Sequence, residues 1–258
     1  MKIKEVALTL ERFAPLPLQE SYDNAGLQVG LTEAEASGVL LCLDVTEDVV
    51  HEAVRRGCNV VVAHHPLLFS GLKRISDETM IERCVRTAIL NGVTLYAAHT
   101  NLDNARGGVN FDIAKRLGLK NVEFLVSNGE GGSGVIGLLD QPMPAMDFLK
   151  FVKDTFHVEC LMHNCGTKAY VQKIALCGGA GGFLLNDALV QKADVFLTGE
   201  MSYHNYFGLE DKIWIGVLGH YQSEQFTIEL MAEILKREAP QLRVEKVDFS
   251  TNPINYMV

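Results

Sequence analysis

Adjacent histidines, His64 and His65, end the apolar run Asn59 to Ala63 and are stopped by Pro66. A short β-branched run of this kind reads as a buried strand, so both imidazoles emerge at its end, where α/β sheets bind ligands. Side chains alternate in direction along a strand, so the pair shares one metal centre only if the chain turns here; otherwise each histidine serves a different ion. Asp103 follows the next strand-like run, Val93 to Ala98, in the segment His99-Thr-Asn-Leu-Asp103. His220 and Glu224 follow a later run, Ile213 to Val217, and stand four apart. That spacing puts them on one face of a helix that begins by His220, whereas a helix beginning at Ser223 leaves the turn to bring them together. Three imidazoles and two carboxylates form a nitrogen and oxygen set suited to zinc, iron, manganese or cobalt, and less to calcium or magnesium. Five ligands are generous for one ion and natural for two, because a carboxylate can bridge a pair about 3.5–4 Å apart. Two divalent transition-metal ions are therefore expected, held by His64, His65, Asp103, His220 and Glu224.

The elements that must position these residues alternate strand and helix. Lys2 to Phe13 reads as a helix ended by Pro15 and Pro17, and Gly38 to Leu43 as a strand. Thr46 can cap a helix to Arg56, with Gly57 as its stop before the strand that carries the histidines. Glu78 to Asn91 is a further helix, ended by Gly92. The second half repeats the order: strand Ile174 to Cys177, helix Gly182 to Lys192, strand Asp194 to Leu197, a short helix near Ser202 to Tyr206, strand Ile213 to Val217, helix Ser223 to Lys236 and strand Leu242 to Val247. In each half the second and third strands end in candidate metal or acid-base residues. The expected fold class is α/β, with two related α/β lobes facing each other across a metal-containing cleft. The expected division is 1–125 and 126–258, with the last helix and strand able to pack back on the first lobe. The glycine-rich segment Ser127 to Gly134 reads as a short loop between the halves, too short for an inserted third domain.

Composition narrows the function classes. The chain has 258 residues, 48% of them hydrophobic, enough for one large α/β domain or two small ones. A formal charge of -9 with no basic stripe argues against a nucleic-acid partner. Glu5 and Glu11 interrupt the first apolar pattern, which suits an amphipathic helix and not a signal peptide. No apolar run reaches membrane-spanning length, so the expectation is a cytoplasmic protein with no membrane partner. The cysteines, at 42, 58, 84, 160, 165 and 177, contain no Cys-x-x-Cys pair and read as buried reduced thiols. Cys160, His163 and Cys165 cluster, but they lack a fourth ligand and a zinc spacing, which leaves them to packing.

Other residues could act without binding metal. His99 and Glu200 each follow a strand of the cleft, so either could carry a proton or orient a ligand. The structural alternatives are that His99 holds the Asp103 loop and that Glu200 opens a helix. His204 is weighed as structural, and His51, His157 and His163 lie away from the strand ends. Gly178-Gly-Ala-Gly-Gly182 lies between a strand and a helix, where backbone amides could receive a phosphate, although tight packing explains the run equally well. Asp23 and Asn24 read as a polar turn, with a place in the site as the alternative.

The stretch Glu20 to Gly30, the segment Ala63-His-His-Pro-Leu-Leu-Phe69, the segment His99 to Asp103, and Gly219-His220 with Glu224 together resemble the NIF-three-like proteins, often labelled GTP cyclohydrolase 1 type 2 homologues. The resemblance spans nearly the whole chain. It implies the same metal ligands, His64, His65, Asp103, His220 and Glu224, and a dinuclear centre between two α/β lobes. It also implies assembly of the chain into a homohexameric ring. The functional expectation is a metal-dependent hydrolase acting on a nucleotide or related small molecule, phosphorylated or not. The alternative is a non-catalytic metal-handling or scaffold protein, whose site would be closed by protein ligands where an enzyme keeps a position open.

Overall fold

A computed structural model describes residues 1–257. In chain order the elements are α1 (Ile3–Phe13), β1 (Gly26–Val29), β2 (Val39–Cys42), α2 (Glu47–Arg56), β3 (Val60–Ala63), α3 (Met80–Leu90), β4 (Thr94–Ala97) and a one-turn α4 (Thr100–Asp103). There follow α5 (Val109–Arg116), β5 (Lys120–Asn128), β6 (Gly131–Pro144), α6 (Ala145–Thr155), β7 (Met162–His163), β8 (Tyr170–Cys177), α7 (Leu185–Val190) and β9 (Val195–Thr198). The chain closes with β10 (Trp214–Val217), α8 (His220–Glu224), α9 (Thr227–Glu238) and β11 (Val244–Lys246).

The first compact unit comprises Met1–Ala105 with Phe226–Pro253. Its sheet runs β1-β4-β3-β2-β11, with the last four strands parallel and β1 antiparallel on the β4 edge. Every residue of β2, β3 and β4 is buried, which is why these strands read as unbroken apolar runs. Helices α2 and α3 start where Thr46 and Thr79 accept hydrogen bonds from Val49 N and Glu82 N. Gly57, at φ +67°, takes the left-handed turn that ends α2 and returns the chain into β3. Val49, Ala53, Val85 and Ala88 from these helices pack against Leu40, Val61 and Leu95 of the sheet.

The second unit comprises Arg106–Gln225 with the residues from Ile254 onward. Its sheet runs β5-β6-β8-β9-β10-β7, and only β8, β9 and β10 are parallel. Phe196, Ala175 and Ile215 form its centre with Leu184 and Ala188. The first unit thus closes twenty residues before the expected 125/126 division (105 against 125). Its cause lies in Ser127 to Gly134, which is not a linking loop. Asn128 pairs with Gly131 across a hairpin turn, with Gly129 at φ +62°, so the segment is internal to the second unit. The expected Gly182 to Lys192 helix is a 3₁₀ turn over Gly181–Leu184 followed by a shorter α7. The single helix expected from Ser223 is two, α8 and α9, parted at Gln225, whose side chain donates to Phe156 O at 2.8 Å. Cysteines 42, 58, 84 and 177 are buried and outside any disulfide, as expected, whereas Cys160 and Cys165 are exposed because they flank the two-residue edge strand β7. Among the described residues no helix is long and apolar enough to cross a membrane.

Candidate metal-binding site

Strand ends carry the chemistry in both units. In the first, the chain bends immediately after β3, where the amides of His64 and His65 both donate to Leu43 O, at 3.2 and 3.0 Å. This bend answers the alternation problem: the two neighbouring rings lie with centroids 4.8 Å apart. His99, at the end of β4, joins them, and one ring nitrogen from each of His64, His65 and His99 lies within 4.8 Å of the others. The His99 carbonyl accepts from Leu102 N and Asp103 N, which closes the turn that carries Asp103. Asp103 Oδ1 stands 3.7 Å from His64 Nε2.

Each of these imidazoles is held from behind. His64 is fully buried, and its Nδ1 donates to Ala98 O at 2.8 Å. His65 Nδ1 donates to Asp44 Oδ1 at 2.7 Å, and Thr251 Oγ1 holds the other carboxylate oxygen at 2.7 Å. His99 Nδ1 donates to Asp23 Oδ1 at 2.7 Å. An acceptor on Nδ1 fixes the tautomer that puts the lone pair on Nε2, the arrangement usual for metal-binding histidines. Burial pushes both carboxyls up, but the hydrogen bonds outweigh it. Asp44 is held below the usual range by His65 and Thr251, and Asp23 is brought to about 2 by His99, Thr100 and the Asn24 amide. Both remain carboxylates able to orient an imidazole.

In the second unit α8 begins at His220, after Gly219 at φ +99°. The four-residue spacing therefore does place His220 and Glu224 on one face, with His220 Nε2 at 3.2 Å from Glu224 Oε2. Glu200, just after β9, accepts from His220 Nδ1 at 2.8 Å, so its contact is with the back of that imidazole. The run Gly178 to Gly182 serves close packing. A Cβ at Gly179 would collide with Glu224 Oε1, and one at Gly182 would meet Glu200 O at 2.8 Å. The Gly178 and Gly179 amides already donate to Asn110 Oδ1 and Ser223 Oγ, so they offer no free cradle to a phosphate. His64, His65 and His99 form one group in the first unit that could hold a metal ion, and His64, His65, Asp103, His220 and Glu224 all occur in groups with ligand atoms close enough to share one. This nitrogen and oxygen donor set fits a borderline transition ion.

Sequence reasoning passed over Asp44 entirely, although it follows β2 as the histidines follow β3. It favoured Asp23 as a turn residue. Asp23 does bond the next amide, Asn24 N, at 2.6 Å, and it also orients His99. Tertiary distance alone reveals the second role, since Asp23 and His99 are far apart in sequence.

A two-sheet α/β protein whose parallel strands end in tethered histidines and carboxylates defines a candidate metalloprotein. The chain belongs to the Duf34/NIF3 (NGG1p interacting factor 3) family, whose model matches residues 1–253. It is similar to proteins called GTP cyclohydrolase 1 type 2 homolog. One is from Lactococcus lactis, 33% identical with 98% of each chain covered. Another is from Clostridium acetobutylicum, 32% identical over 92% of this chain and 90% of that protein. The crystal structure of Staphylococcus aureus protein SA1388 superposes with a TM-score of 0.91 at 26% identity, covering 100% of this chain and 99% of that one.

Proposed function

We propose that this protein binds two divalent transition-metal ions and is a hydrolase acting on a nucleotide or related small molecule. The ligands in this proposal are His64, His65 and Asp103 of the first unit and His220 and Glu224 of the second. The observation that carries it is the tethering of the imidazoles. His64, His65, His99 and His220 each have Nδ1 engaged by an oxygen at 2.7–2.8 Å, which prepares Nε2 for a ligand or a proton. Ions held by these residues would supply Lewis acidity, making water nucleophilic near neutral pH and the substrate more electrophilic. His99, steadied by Asp23, is the proton carrier in this proposal, and Glu200 assists through His220. The name carried by these relatives directs the substrate search to GTP and its analogues first. The resemblance extends the proposal to a homohexameric ring, which light scattering on the purified chain would test, and to a cytoplasmic location, which cell fractionation would test.

The deciding measurement is metal content after dialysis, for the native protein and a His65→Ala variant, together with a turnover screen over nucleotides, phosphoesters and cyclic amides. Retained zinc, iron, manganese or cobalt in the native protein, its loss in the variant, and metal-dependent turnover of a nucleotide are the expected results. A native protein that binds no transition metal refutes the proposal. Metal without turnover in any class favours the metal-handling alternative.

A further inference from the structure

We propose that a hollow in the second unit, opening beside the C-terminal ends of β8, β9 and β10, receives a planar heteroaromatic ring, the base of a nucleoside, held face-on by one of Tyr203 and Phe207 and edge-on by the other. The inference rests on the nucleotide-hydrolase reading above and adds the part of the substrate that this surface recognises. Ligands of open parallel sheets bind at this end of the strands. A cavity of about 620 Å³ lies there beside Ala180, Gly199 and Val217, and a second of about 530 Å³, walled by His163 of β7 with Tyr203 and Phe207, adjoins it through Met162 and Met201, which line both. Each falls within the range of small-molecule pockets, about 300–1,000 Å³.

The walls are chosen for a flat, polarisable group. Tyr203 and Phe207 pack edge to face with centroids 5.2 Å apart, and His204 stacks on Phe207 at 6.2 Å. Tyr203 is 72% exposed, Phe207 62% and Phe183, across the second cavity, 65%, an outlay of apolar surface that folding does not require. Thioethers beside exposed rings make adaptable contacts with aromatic ligands. Charge separates a ring from a phosphate here. None of the described residues lining either cavity is Lys or Arg, and the charged ones are Glu200 and Glu210. A phosphate would meet carboxylates, whereas a neutral ring with N–H donors would meet acceptors. Glu200 also joins the hollow to the candidate metal site. It lines the larger cavity while one of its oxygens holds His220 Nδ1, and its remaining lone pairs can accept from a ring N–H.

The test is binding of guanosine, adenosine, ribose 5-phosphate and inorganic phosphate to the full chain, followed by saturation-transfer NMR and calorimetry, with and without added metal. Guanosine or adenosine should bind with its base protons the most strongly saturated. Phe207→Ala and Tyr203→Ala should each weaken binding roughly tenfold, the scale of one base–aromatic stack, while Phe207→Tyr retains it. Because both rings are exposed, metal content and Tm should stay unchanged in these variants. Ribose 5-phosphate or phosphate binding as tightly as the nucleosides overturns the inference, as does an unchanged nucleoside affinity in Phe207→Ala. Nucleoside binding by a chain that holds no metal leaves the subsite standing and removes the hydrolase proposal. Metal without nucleoside binding removes the subsite alone.

Discussion

The two units place similar chemistry on similar strands but hold it differently. In the first, β2, β3 and β4 run parallel with antiparallel β1 beside β4; in the second, β8, β9 and β10 run parallel with antiparallel β7 beside β10. In each, the second and third parallel strands end in the candidate residues. His64 is fully buried and His65 is backed by a carboxylate that is itself fixed by Thr251. His220 is a third exposed, and the Glu200 that backs it is 57% exposed. The first unit is a prepared imidazole cluster, while the second offers a more open pair on a single helical turn. Preparation costs burial of polar groups, and openness leaves room for a ligand.

Substitutions can break this comparison. His64→Ala and Glu224→Ala remove donors from opposite units, and each should cost more than 100-fold in metal affinity if both units supply ligands, read by titration of metal-stripped protein. A Glu224→Ala protein with native affinity would confine the site to the first unit. The backing carboxylates should follow in size. Asp44→Asn should weaken metal binding by about 10- to 100-fold, and Glu200→Gln by less, about tenfold, because water competes for its exposed oxygen. Equal losses would show that exposure does not set the difference. Gly179→Ala should lower stability by roughly 1–2 kcal/mol through its left-handed backbone alone, and it should also displace Glu224 and reduce metal affinity, measured by denaturant unfolding with metal titration.

The smallest effect on the site should come from Asp194, in the second unit away from the metal donors. Burial raises its pKa, but Lys168 and the Lys173 and Gln172 amides bring it below the usual carboxylate range. A carboxyl depressed in the folded state stabilises the protein above the unfolded-state pKa, near 4, and that contribution is lost as pH falls below it. Asp194→Asn should cost about 1–2 kcal/mol at pH 7, shrink toward zero in acid, and leave metal content unchanged, as pH-dependent unfolding would record.

Much of the frame was legible because local rules govern it. The Thr46 cap, the Gly57 stop and the apolar runs of β2 to β4 each rest on a few neighbouring residues, and β9 and β10 followed from the same pattern. The hairpin over Asn128 to Gly131 is not legible in the sequence, because a glycine-rich run looks the same in a linker and in a tight turn until its flanks pair. Gly178 to Gly182 was ambiguous for a related reason. Only the position of Glu224 shows that a Cβ at Gly179 has no room.

By itself the sequence determined which candidate donors this protein has and that they follow strand ends, since strand periodicity and the four-residue helical spacing are local properties of the chain. The tertiary structure alone decided how those donors are presented. The bend that brings His64 and His65 side by side, and the pairing of Asp23 with His99, Asp44 with His65 and Glu200 with His220, join residues from separate segments. Such contacts depend on how the strands order in their sheets, which no stretch of neighbouring residues specifies.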